Sequence, residues 1–340
     1  MIFSENTIIY LDSHALQSAM ANAVNVLALE AAHDGTTTAI DHCLHTQGNF
    51  EQRHFSAHIL RSAGQGFEAL LTREYRNRDK IAWAKTQNDL GNILAALAQR
   101  QQDVNLYGKA KNCFHQALDV FTREQSPQSW AETKYNLGTV NQALGCMLSD
   151  TKPLKVAVAA YTDALSVWSR HISPENWMRT MHQLGATFHI YGKLLAGNRL
   201  FQKSVVAYKN ALAVLDADDY ALALTATHNN RGAVLQHLGE SEENPARIEE
   251  ATRSYDKALT VSLEQQLPIH LAVICRINKA TAQNTSAELN SDIVLAEALV
   301  DEFDVIIECF SHLLQPLYLT HCEQQRDKAK AQILLTKKAG

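Results

Sequence analysis

Proline occurs only six times and glycine fourteen times in 340 residues, too seldom for the closely spaced turns of a sandwich or barrel of strands. The six cysteines, Cys43, Cys113, Cys146, Cys275, Cys309 and Cys322, are scattered without a Cys-x-x-Cys pair, which argues against a disulfide framework or a zinc ribbon and fits reduced thiols. No window approaches the roughly 18 apolar residues that a membrane span needs. The first residues carry Glu5 and Asp12 instead of the charged-then-apolar order of a secretory leader. A soluble cytoplasmic protein is therefore expected. Positive charge is not in excess either: charged residues are 20% and the net charge is −5, which gives no electrostatic reason to expect a nucleic-acid partner. Catalytic signatures are missing as well. Gly64-Gln65-Gly66 lacks the preceding strand and the Lys-Ser/Thr of a phosphate loop, and no nucleophile elbow or placeable Ser/His/Asp set is present. Neither enzymatic activity nor a cofactor is expected.

The chain does contain a repeat. Gly91, Gly138, Gly185 and Gly232 fall 47 residues apart, three of them preceded by leucine. Trp83, Trp130 and Trp177 keep the same step, as do Thr86, Thr133, Thr180 and Thr227, the aromatic set Phe114, Tyr161, Tyr208 and Tyr255, and the Ala-Leu pairs that begin at Ala117, Ala164, Ala211 and Ala258. Agreement at this many positions marks an internal repeat, which overrides the two or three domains that length alone suggests.

Each copy reads as two helices. Ser126-Pro127 and Ser173-Pro174 offer an N-cap hydroxyl followed by proline at the first helical position, so helix A begins just before each tryptophan. It is expected to break near Gly145, Gly192 or Gly239. Helix B begins near Pro153 in one copy and at Asn244-Pro245 in another, and ends near Arg170 or Leu263. Small residues (Ala110, Ala157, Ser204, Ala251) precede each aromatic by four positions, a face that lets two helices approach closely while a ring fills the gap. The tryptophans, in the first turn of helix A, read as packing between consecutive copies.

The ends are less regular. A helix is expected over His14–Ala32 and a short one over Ala39–Thr46, and Phe50–Asn77 reads as a worn copy. A fifth helix A covers Ile269–Thr281 with Lys279 in place of the glycine, a polar loop spans Asn284–Asn290, Ser291 caps a run to about Leu314, and Pro316 restarts a helix. The expected domains are residues 1–79 (N-terminal helical cap with a degenerate repeat), 80–263 (four repeats) and 264–340 (degenerate fifth repeat and capping helices). Terminal units need a polar outer face. His33, His42, His45, His54 and His58 crowd one segment, but the i,i+4 pair His54/His58 lacks the acidic partner of a His-Glu-x-x-His site, so no metal is expected.

Leu-Gly followed by small, aromatic and alanine at three- and four-residue steps resembles the tetratricopeptide repeat (TPR), a helix-turn-helix unit of about 34 residues. The run Ser126-Pro-Gln-Ser-Trp-Ala-Glu-Thr-Lys-Tyr-Asn-Leu-Gly138 is similar to an extended bacterial variant with longer helices. The likeness is good over residues 80–263. It implies an all-α, right-handed superhelical solenoid of antiparallel helix pairs, with the A helices lining a concave face. The positions that face inward in the family are here Lys85, Asn88, Asp89 and Asn92; Glu132, Tyr135, Asn136, Thr139 and Gln142; Arg179, His182, Gln183 and His189; Asn229, Asn230 and Gln236. Asparagine both donates and accepts, so a ladder of them can hold an extended backbone. Asn88 stands where the family's carboxylate clamp begins with lysine, which argues against that clamp. The resemblance implies a non-enzymatic scaffold or adaptor that binds a peptide segment or partner domain. The alternative is a self-assembling structural protein that forms a homo-oligomer through its terminal helices, and a third, a metal or enzymatic site on the His-rich segment, has less support.

Overall fold

The computed structural model describes residues 50–311 and 316–339. The helices expected over His14–Ala32 and Ala39–Thr46 lie outside the described residues. So do His33, His42 and His45, and the side chains of His54 and His58. Among the described residues every regular element is an α-helix, in the order α1 (Phe50–Leu70), α2 (Arg73–Arg78), α3 (Lys80–Gln101), α4 (Val104–Leu118), α5 (Pro127–Leu148), α6 (Thr151–Leu165), α7 (Pro174–Leu195), α8 (Asn198–Leu212), α9 (Ala217–Ser241), α10 (Pro245–Glu264), α11 (Ile269–Asn290), α12 (Ile293–Phe310) and α13 (Pro316–Ala339). The odd-numbered helices from α3 to α11 are the A helices and the even-numbered ones from α4 to α12 are the B helices. The chain separates into two compact units, with the boundary between Leu194 and Leu195.

Within each unit, A packs on B and on its neighbours through the repeat's own residues. In three copies the ring of the B helix lies against the glycine of its A helix. A Cβ added at Gly91 would come within 2.5 Å of Phe114, one at Gly138 within 2.7 Å of Tyr161, and one at Gly232 within 2.7 Å of Tyr255. Real Cβ contacts do not reach such distances, so only glycine admits the ring. In the fifth copy the two features disappear together: Lys279 replaces the glycine and Glu302 stands at the ring's position. The small residues Ala110, Ala157, Ser204 and Ala251 are all buried beside their rings.

The glycines do not end the helices. Helix α5 runs through Gly145 to Leu148, and α9 runs through Gly239 to Ser241. No described glycine has a positive φ; the left-handed turn falls on Gln102, Ser149, Ala196 and Glu243, again 47 residues apart. Gly145 and Gly239 are there for contact, since a Cβ would meet Leu154 at 2.4 Å and Ile248 at 2.5 Å. A side chain in the left-handed region costs on the order of 1 kcal/mol. Glu243→Gly is therefore expected to stabilise the protein by up to about 1 kcal/mol. A urea midpoint that stays put or falls would count against that strain.

Caps recur at the same step. Asp103 accepts from the amides of Asn105 and Leu106, Asp150 from Lys152, and Asn244 from Ala246. Ser126 occupies its expected N-cap position, but its side chain makes no cap bond and instead reaches back to the Thr122 carbonyl at 3.5 Å. Helix α6 stops at Leu165, five residues short of the expected end, because the chain tightens there into a turn that seats the buried Trp168. The polar run Asn284–Asn290 is helix, not loop: Asn284 is buried and donates to Gln325. Ser291 is the left-handed residue that closes α11, and the cap of α12 is Asp292. Helix α13 does begin at Pro316. It buries His321, Cys322, Gln325 and Ala329 and leaves Glu323, Gln324, Asp327 and Lys330 exposed, the polar outer face that a terminal helix needs.

Trp83 is buried, and half-buried Trp130 packs on the same cluster with Ala84, Ala117 and Phe121, which is contact between consecutive copies. Trp177 is half-buried. No described helix is long and apolar enough to cross a membrane.

Candidate functional site

In both units the expected inward-facing residues fall on the A helices, but most of them are closed off from solvent. Asn88, Asn92, Tyr135, Asn136, Gln142, His182, His189, Asn229, Asn230 and Gln236 are all buried. A buried amide normally finds its partner inside the protein, and several of these do, although Gln142 Nε2 has none. Asn136 Nδ2 donates to Asn88 Oδ1 at 3.2 Å, joining α5 to α3. Asn278 Nδ2 donates to Asn229 Oδ1 at 2.9 Å, joining α11 to α9. The Tyr135 hydroxyl is hydrogen-bonded to Gln183 of α7. The asparagines thus tie one A helix to the next, and a partner cannot reach them without opening the stack.

Gln142 and Gln236 serve the B-helix rings. The Tyr161 hydroxyl donates to Gln142 Oε1 at 2.8 Å, and the Tyr255 hydroxyl to Gln236 Oε1 at 3.2 Å. In the first copy the ring is Phe114, which has no hydroxyl, and the equivalent of Gln142 is Ala95. The polar partner is present where a phenol needs it and absent where none does.

Five expected residues keep solvent access. Lys85 and Glu132 are exposed, and Thr139 and Arg179 are half-buried. Asp89 is half-buried beside them; burial pushes its carboxyl up to about 6, opposed by Lys85 and reinforced by Glu132. The Arg179 guanidinium lies over the Tyr135 ring at 4.5 Å and 6.0 Å from the Trp168 ring, a cation–π seat that fixes its plane. Its Nη2 donates to Asn176 at 3.2 Å, and its Nε is shielded from solvent with no acceptor. Tyr135 and Trp168 are themselves tilted against each other at 6.0 Å, and Trp168 Nε1 donates to Gln128 at 2.9 Å. Sequence reading passed over Trp168, although Phe121, one copy earlier at the same position, is also buried.

These groups can hold polar or charged side chains of a ligand through hydrogen bonds and charge. Among the described residues no group of three His, Cys, Asp or Glu is placed to hold a metal ion. The buried histidines His182 and His321 are pushed down to about 4 by burial and are neutral at pH 7.

No protein-family model and no curated protein sequence matches the chain. Solved structures do. The crystal structure of BtubC (BKLC) from P. vanneervenii is 18% identical with a TM-score of 0.50, covering 76% of this chain and 92% of that one. The TPR2AB domain of yeast Sti1, in complex with pHSP90, is 16% identical over 79% of this chain and 99% of that one, with a TM-score of only 0.27. At these identities the likeness is one of fold, and the described chain is all-α, built of consecutive helix pairs.

Proposed function

We propose that the chain is a non-enzymatic interaction protein, a scaffold or adaptor, that receives a peptide segment or partner domain on the A-helix face of the unit spanning residues 17–194. One observation carries this reading: Lys85 and Glu132 are exposed and Arg179 half-buried on consecutive A helices, and the Arg179 guanidinium is held over Tyr135 and near Trp168. Interfaces concentrate their energy in such aromatic and arginine anchors. Most of the remaining stripe is buried, so direct contacts fall to these exposed groups and to Thr139.

A photo-crosslinking side chain at Lys85 or at Glu132, used in the native cell, is expected to trap a second polypeptide. The same side chain at Lys155 or Lys209, exposed on the B helices, is expected to trap none. Equal trapping from both faces would remove the A-helix face as the site. Self-assembly through α13 finds less support, because its outer face is polar apart from Ala331, Leu334 and Leu335.

A further inference from the structure

Lys85, Glu132 and Arg179 occupy one position of the repeat in three consecutive copies, each 47 residues after the last, and they alternate in sign. The repeat does not require charge there, since the equivalent positions in the other unit are Ala226 and Val273, both buried. Glu132 lies within electrostatic reach of both Lys85 and Arg179. Even so, none of the three closes an ion pair with another charged side chain among the described residues. Arg179 rests on rings and an amide; Lys85 and Glu132 face solvent. Charge is thus presented along the row without being neutralised by direct pairing.

The three positions sit on three consecutive A helices, and the step from helix to helix sets the repeat that a ligand backbone must match. Packed helices lie about 8–10 Å apart. A polyproline-II strand has three residues per turn and rises about 3.1 Å per residue, so every third side chain returns to the same side after about 9 Å. A β-strand would turn every third side chain to the opposite face. We propose, resting on the interaction reading above, that this row binds an extended polyproline-II segment carrying acidic, basic and acidic side chains three residues apart. Lys85 receives the first, Glu132 the second and Arg179 the third, in either chain direction because the pattern is symmetric.

The test uses three capped, fluorescent, proline-spaced peptides and the full chain, read by anisotropy. The first has glutamate at positions one and seven and lysine at four; the second has those signs inverted; the third has the matched signs at positions one, three and five. The matched peptide is expected to bind about tenfold more tightly than either control at low salt, and the margin shrinks as salt rises. The exchange Lys85→Glu/Glu132→Lys, at two exposed positions, is expected to bring the first two peptides within about twofold of each other. Equal binding of matched and inverted peptides overturns the charge pattern but leaves the A-helix face as the site. Preference for the one-three-five peptide overturns the conformation. If no peptide binds while Lys85 still crosslinks a partner, only this inference fails; if crosslinking fails too, the site itself is wrong.

Discussion

Lowering the pH from 7 to 4.5 is expected to unfold the described residues from 195 onward while the described residues up to 194 keep their structure. His228 and His321 lie in the first of these units, and both are pushed down from 6.5 to about 4, chiefly by burial. A base with a depressed folded pKa stays neutral in the folded chain while the unfolded chain takes up the proton. The stability it contributes is therefore present above pH 6.5 and lost as pH falls through the window to 4. The loss is up to about 3 kcal/mol for the well-buried His321, and less for the partly exposed His228. Glu240 and Glu302 have depressed pKa values and add to the loss as pH drops below the ordinary carboxylate range. Against a total stability of about 5–15 kcal/mol this is a large fraction.

Among the described residues up to 194 the corresponding losses from His182 and the more exposed His115 are opposed by Glu132 and chiefly by Asp89. Its carboxyl, raised from 3.8 to about 6, keeps a proton in the folded state that the unfolded state releases, so acidification favours the fold by at most about 3 kcal/mol. All four tryptophans, at 83, 130, 168 and 177, lie in this unit. Tryptophan fluorescence therefore reports on one unit and far-UV circular dichroism on both. Under acid, the dichroism is expected to fall well before the fluorescence changes. Coincident transitions, or urea midpoints that do not move between pH 7 and 4.5, would contradict the burial of these histidines.

Gly138→Ala is expected to destabilise the protein by about 3 kcal/mol, whereas Gly108→Ala gains up to about 1 kcal/mol. The same methyl group is added to a helix interior in both. At Gly138 it lands 2.7 Å from the Tyr161 ring, and the ring cannot retreat. Its hydroxyl is bonded to Gln142 and Thr139, and Tyr135 is packed against it at 5.6 Å. At Gly108 the methyl meets nothing within 4 Å, so only the improved helix propensity remains. Thermal or urea unfolding of the two variants decides the matter. Equal effects would mean that the ring does not rest on the glycine.

The period of the chain, its helix pairs and the burial of its rings were legible in the sequence, because one physical requirement was written four times in register. The cause behind a periodic residue was less legible. Gly145 and Gly239 recur as a helix stop would, yet they mark where Leu154 and Ile248 press on the backbone. The actual turns fall on Gln102, Ser149, Ala196 and Glu243, residues with no turn signature. Asn88 and Asn136 read as groove residues because polar residues on a helix face normally meet solvent. Only the neighbouring A helix shows that they meet each other. The alternation of sign through Lys85, Glu132 and Arg179 was not legible in any single copy, because it shows only when three copies are laid in register. The polar run after Thr281 looked like a loop for a similar reason: Asn284 is matched by Gln325, far along the chain and invisible to a local reading.

The ring-on-glycine contact is made wholly inside a copy, Gly91 with Phe114 and Gly138 with Tyr161, whereas the asparagine bonds join one copy to the next. The array therefore separates what makes a module from what orders modules. A duplication in steps of 47 residues carries each lock intact and disturbs only the contacts between copies, the amide bonds and the tryptophan packing. Such a chain can lengthen or shorten by whole modules without redesigning its interior. The fifth copy, which lost glycine and ring together, shows that the lock is inherited or discarded as a pair.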